Sequence, residues 1–139
     1  MNRGSTGLVC GIARHGEALI RLSQARLELL LFGWDSTLRR AQGRSRSVAG
    51  VEKETREDRA RQVERALHRT SRLVPGATCI HRSLAGQRML LRRGMAARIA
   101  IGLRRGDQAV EGHAWLEAGE KGSEIRLFLG ESAGYRPIL

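Results

Sequence analysis

From Arg14 to about Phe32 the apolar residues Leu19, Leu22, Leu27, Leu30 and Leu31 interleave with charges at near-helical spacing. The pattern predicts an amphipathic helix whose apolar side must lie either on the rest of the chain or on a partner. Gly33 and Asp35 read as stop and restart signals before a short basic helix over Ser36–Gln42. Residues 1–10 carry no periodic signal and read as a frayed leader, and the small, basic, serine-rich stretch 43–50 reads as a linker. Two units are therefore expected: a helical extension with its linker over 1–50, and a domain over 51–139.

Within that domain a charged helix is predicted from Glu52 to Leu73, with a thin stripe of Val63, Ala66, Leu67 and Leu73 and with Glu57 and Arg61 spaced for i, i+4 pairing. Pro75-Gly76 ends it. A second helix is predicted from Cys79 to Arg93, with Ile80, Leu84, Gln87 and Leu91 on one face, Thr78 as its N-cap and Gly94 as its stop. The period then changes from helical to two. Ala97, Ile99 and Ile101 alternate with Arg98, Ala100 and Gly102 in a first strand, followed by strands over Val110–Ala118 and Glu124–Gly130. Helices first and an antiparallel sheet afterwards make the class α+β.

Composition narrows the function classes. No stretch offers the roughly 18 uninterrupted apolar residues of a spanning helix, and no secretory signal is legible, so a soluble, cytoplasmic protein is expected. The net charge of +11 comes almost wholly from arginine, Lys53 and Lys121 being the only lysines. Nucleic acid, an anionic surface or an acidic peptide would each suit that balance. Against nucleic acid, the arginines are spread along the helices rather than massed, and 4% aromatic residues leave few platforms for base stacking. The two cysteines form neither a disulfide framework nor a set of zinc ligands; no metal and no cofactor is expected.

The chemistry centres on Cys79 and His113. At a helix start, unpaired N–H groups and the helix dipole stabilise a thiolate, and the same groups can hold the oxyanion formed when it attacks a carbonyl. Cys10, in a glycine-flanked stretch, has neither advantage. His113, followed by Ala114-Trp115-Leu116-Glu117, sits on a strand that can fix its imidazole as the base for a cysteine nucleophile. His15 and His68 fall on charged helical faces, and His81 points about 200° around the helix from Cys79. A third group should orient the imidazole. Pairing Ala118 with Glu124 sets His113 opposite Leu129 with Glu131 diagonally next, so Glu131 is the expected orienter; Glu124 falls beside the turn and Glu117 four residues along the same strand.

The segments Pro75-Gly76-Ala77-Thr78-Cys79-Ile80-His81-Arg82-Ser83-Leu84-Ala85, Leu90–Met95, Ile101-Gly102-Leu103, His113-Ala114-Trp115-Leu116-Glu117 and Leu129-Gly130, in this order and spacing, resemble the leader peptidases of lasso-peptide biosynthesis. That family is similar in fold to transglutaminases and other papain-like cysteine enzymes, and the likeness covers roughly Glu52 to Leu139. The resemblance implies a cysteine peptidase that cuts the leader from a ribosomally made precursor. It also implies two partners: a separate leader-recognition protein, and the ATP-using cyclase that closes the ring. Members commonly carry an aspartate as the third residue, where this chain offers Glu131. Acyl transfer to an amine by the same dyad, and a non-enzymatic basic module for nucleic acid or acidic peptide, are the competing expectations.

Overall fold

The computed structural model describes residues 3–43, 53–130 and 134–138. Three helices precede a four-stranded sheet: α1 Arg3–Gln42, α2 Lys53–Ser71, α3 Cys79–Arg92, β1 Ala97–Arg105, β2 Val110–Ala118, β3 Ile125–Leu127 and β4 Arg136–Pro137. The sheet order is β3-β2-β1-β4, and every pairing is antiparallel. This is the α+β class that helices followed by period-two segments predict.

α1 begins at Arg3, so the expected frayed leader is helical over its described residues, and the helix continues to Gln42 with one break. Gly33 makes that break, at φ 73° and ψ 174°, a left-handed departure that glycine adopts without a Cβ clash. Thr37 Oγ1 donates back to the Gly33 carbonyl at 2.8 Å across the break. The face that packs differs from the one the leucines suggested. Ala18, Leu22 and Ala25, one helical turn apart, are wholly buried, whereas Leu19, Leu27, Leu30 and Leu31 are exposed. Small side chains let α1 approach α3 closely, and a stripe of leucines in their place would hold the axes apart.

On α2 the buried stripe is Ala60, Val63, Ala66 and Leu67, while Leu73 lies beyond the helix and is exposed. Arg61 pairs with Glu64 at 2.9 Å, one turn onward, rather than with Glu57. Of the expected linker over 43–50, residues 44–50 lie outside the described residues.

α3 occupies the middle of the molecule, touching both other helices and the sheet. Its buried Gln87 donates through Nε2 to the Ala41 carbonyl at 2.9 Å and the Ala97 carbonyl at 3.0 Å, satisfying two backbone acceptors that burial would otherwise leave costly. At its edge, Arg93 meets Glu17 at 2.7 Å and Arg88 meets Glu28. The core face of the sheet carries Ala97, Ile99 and Ile101 from β1, Ala114, Leu116 and Ala118 from β2, and Leu127 from β3. Gly102, His113 and Trp115 lie on the opposite face.

Candidate active site

Local chemistry explains why α3 begins where it does. Gly76, at φ 74°, turns the chain after Pro75, and Thr78 stands extended at the N-cap with φ −112° and ψ −178°. The first bond of the ladder runs from the Arg82 N–H to the Thr78 carbonyl at 3.2 Å. The N–H groups of Cys79, Ile80 and His81 therefore precede the ladder and carry the positive end of the helix dipole. Cys79 is the first helical residue, a half-buried free thiol packed against the core. Cys10 is exposed, 3.5 Å from an Arg14 nitrogen on its own helix.

His113 pairs with Gly102 across β1 and β2. Its ring stacks toward Trp115 at a centroid distance of 6.4 Å and tilts against Tyr135 at 5.3 Å. Gly102 is needed there: a Cβ would stand 2.8 Å from the Trp115 ring and 3.0 Å from the Arg136 carbonyl. Among the described residues β3 pairs only with Leu116–Ala118, so β2 has an open edge beside His113. Across that edge His113 Nε2 reaches the Phe128 carbonyl at 2.7 Å. A carbonyl can only accept, so Nε2 carries a proton and the lone pair of the neutral ring lies on Nδ1.

Two packing contacts relate α3 to β2. Gly86 faces Leu116 and Phe128, where a Cβ would stand 3.1 Å from both side chains. Gln87 reaches Ala97, the partner of Ala118 at the far end of β2, while Arg82 shares a cavity with His113. The helix and the strand therefore run in the same direction. Among the described residues no hydrogen bond joins the Cys79 thiol to His113, whose strand position is on the sheet face opposite to the core.

Two cavities open beside these elements. One, of about 360 Å³, is lined by His113, Phe128 and Gly130 together with Glu64, Arg65, His68, Arg69 and Arg82. The other, of about 340 Å³, is lined by Thr78, Ile80 and His81 with Leu30, Trp34 and other residues of α1. Both linings carry cations: Arg65, Arg69 and Arg82 in the first and Arg26 in the second.

The remaining expected residues divide. The hairpin register is shifted by one from the expected pairing, Ala118 standing opposite Ile125 and not Glu124, and β3 stops at Leu127. The positive-φ glycines Gly119 and Gly122 give the turn one more residue than the expected register assumed. His113 consequently has no strand partner at Leu129. Glu131 lies outside the described residues. Glu124 sits in the turn, where its carboxylate accepts from the Gly122 N–H at 2.9 Å. Glu117 accepts from Trp115 Nε1 at 3.2 Å and pairs with Arg98, on the sheet face away from the core. His81 is the N3 residue of α3, its Nδ1 accepting the Thr78 N–H at 3.0 Å. His68, although exposed, meets Arg82 at 3.4 Å. The Phe128 carbonyl escaped the sequence reading because a backbone acceptor has no residue-type signature. Among the described residues no cluster of three His, Cys, Asp or Glu side chains could hold a metal ion, and no helix is long and apolar enough to cross a membrane.

No curated protein and no solved structure matches the chain. Residues 19–138 match a family profile that spans α1 from its buried stripe onward, both other helices and the whole sheet, and the chain therefore belongs to the transglutaminase-like superfamily.

Proposed function

We propose that the chain is a cysteine peptidase that removes the leader from a ribosomally made lasso-peptide precursor, with Cys79 as nucleophile and His113 as base. The superfamily comprises cysteine proteases and acyltransferases. The observation that carries the reading is the hydrogen bond from His113 Nε2 to the Phe128 carbonyl, which leaves Nδ1 as the basic nitrogen free to serve a thiol. In this mechanism Nδ1 takes the proton from Sγ, and the thiolate attacks the carbonyl at the leader–core junction. The N–H groups at the start of α3 hold the oxyanion. Nδ1–H then protonates the leaving amine, and water hydrolyses the acyl-enzyme. Glu131 is the acid proposed to support the imidazole, alongside the Phe128 carbonyl. A separate leader-recognition protein is the proposed partner, and the ring-forming cyclase acts on the product.

Acyl transfer is the second reading, favoured by the family itself: a thioester formed at a side-chain carboxamide, with ammonia as the leaving group, and intercepted by an amine gives one conjugate instead of two fragments. Mass spectrometry of the precursor peptide incubated with the chain and the leader-binding protein separates the two. Two fragments are expected with the wild-type chain and with Cys10→Ala, and intact precursor with Cys79→Ala. Cleavage by a folded Cys79→Ala protein would end the proposal.

A further inference from the structure

Phe128 is the one non-glycine residue with positive φ among the described residues, at 63°. Left-handed backbone is unfavourable for a side chain with a Cβ, so something must hold it. Its ring is buried and packs over Gly86. Its N–H donates to Glu64 Oε1 at 2.7 Å, and its carbonyl accepts from His113 Nε2, also at 2.7 Å. The residue that presents the acceptor to His113 is thus itself held at its donor by a carboxylate on another element, 64 positions earlier in the chain. That carboxylate is fixed in turn. Arg61 Nη1 donates to Glu64 Oε2 at 2.9 Å and to the Arg126 carbonyl on β3 at 3.2 Å, bracing α2 against the strand that leads into Phe128.

Resting on the peptidase reading above, we infer that Glu64 is a positioning residue for the site: through Phe128 it holds the carbonyl that sets the tautomer and orientation of the His113 imidazole. Glu64 does not touch His113 in this arrangement, and its part is to keep a strained residue in place. It is the one acid among the described residues lining the cavity, facing Arg65, His68 and Arg69 on its own helix and Arg82 on α3. With one oxygen on Arg61 and the other on the Phe128 N–H, it is oriented toward the loop and not toward those cations. Without it, the Phe128 peptide can relax, the carbonyl can turn from Nε2, and the imidazole loses the group that distinguishes its two nitrogens.

The test uses the full chain. Nitrogen NMR of the His113 ring reports its tautomer, and precursor cleavage with the leader-binding protein reports turnover. In the wild type the neutral ring is expected as the Nε2–H tautomer. Glu64→Ala should give a mixture of tautomers and lower kcat by about 10- to 100-fold with little change in KM. Glu64→Gln keeps an oxygen that can accept from the Phe128 N–H and should restore the tautomer and most of kcat. A folded Glu64→Ala protein with wild-type tautomer and kcat would overturn the inference. Amide exchange in the wild type decides the matter even if that variant does not fold: the Phe128 N–H should be protected, and exchange at the rate of an open loop would overturn it. The tautomer is read without substrate, so a chain that cleaves nothing yet responds to Glu64→Ala refutes the peptidase reading and leaves the positioning role standing.

Discussion

The backbone N–H of Thr78 donates to Nδ1 of His81 at 3.0 Å, so the helix start that carries Cys79 is closed by a titratable ring. Burial, and then the nearby Arg26 guanidinium, hold the His81 imidazole below its ordinary pKa. In the unfolded chain the ring takes a proton near 6.5, while the folded chain resists until a lower pH. Below about 6.5 the unfolded state therefore binds more protons, and stability falls until the folded ring also titrates. Protonation removes the acceptor for the Thr78 N–H and should loosen the first turn of α3. His81→Gln, which can accept there without titrating, should flatten this part of the profile. Thermal unfolding of both proteins between pH 7.5 and 5 checks it, and parallel profiles would refute it.

Glu17 shows the same linkage on a carboxylate. Burial alone would raise its pKa, but the Arg93 hydrogen bond and the charges of Arg93, Arg92 and Arg21 outweigh that and lower it. A lowered carboxylate pKa gives stability that is present above the unfolded value of about 4.3 and lost as pH falls through the folded one. Glu17→Gln should cost about 1 kcal/mol at pH 7 and less at pH 3. Denaturant unfolding at the two pH values measures both numbers.

Two neighbouring glycines should behave oppositely. Gly102→Ala pushes a methyl into the buried Trp115 ring and the Arg136 carbonyl and should cost about 1–3 kcal/mol. It should also displace the ring that stacks toward His113 and reduce cleavage. At Gly112 the nearest atom to a new Cβ is 3.7 Å away, on Leu103, so Gly112→Ala should change stability by less than about 0.5 kcal/mol. Equal losses at the two positions would contradict this packing.

On α1, Leu22→Ala should destabilise by about 3 kcal/mol, since Leu22 is fully buried. Leu30→Ala should cost almost nothing, because Leu30 is 73% exposed. Chemical denaturation distinguishes them, and the reverse order would mean that α1 packs by the other face.

Glu131→Gln is expected to lower turnover if its carboxylate supports His113, and Glu124→Gln, confined to the hairpin turn, should leave it near wild type. Steady-state rates with saturating precursor give the answer, and unchanged turnover in Glu131→Gln would remove the acid from the proposed site.

The elements themselves were legible along the chain. Proline, glycine and the change of period mark α2, α3 and β2 to within two residues and the start of β1, which runs three residues past the alternation read at Ala97–Gly102, and Thr78 reads directly as the N-cap. Which side of α1 faces inward was not legible, because counting leucines ignores how closely two helices can approach through Ala18 and Ala25. The hairpin register was lost for a comparable reason, as one more turn residue between Ala118 and Ile125 moves every later side chain by one place. Cys79 and His113 could be singled out from residue type and local context. The contacts around His113 could not, since they join a backbone carbonyl at Phe128 to a side chain on α2, and neither leaves a local periodic trace.

Phe128 also limits how this chain can diverge. Its backbone conformation favours glycine, while its buried ring fills the space that Gly86 leaves open. Glycine at 128 would relieve the backbone and empty that space; a β-branched residue would fill part of it at a greater backbone cost. A side chain at Gly86 would press on Leu116 and Leu67 as well as on Phe128, so position 86 can grow only in concert with all three, and changes here are coupled rather than independent.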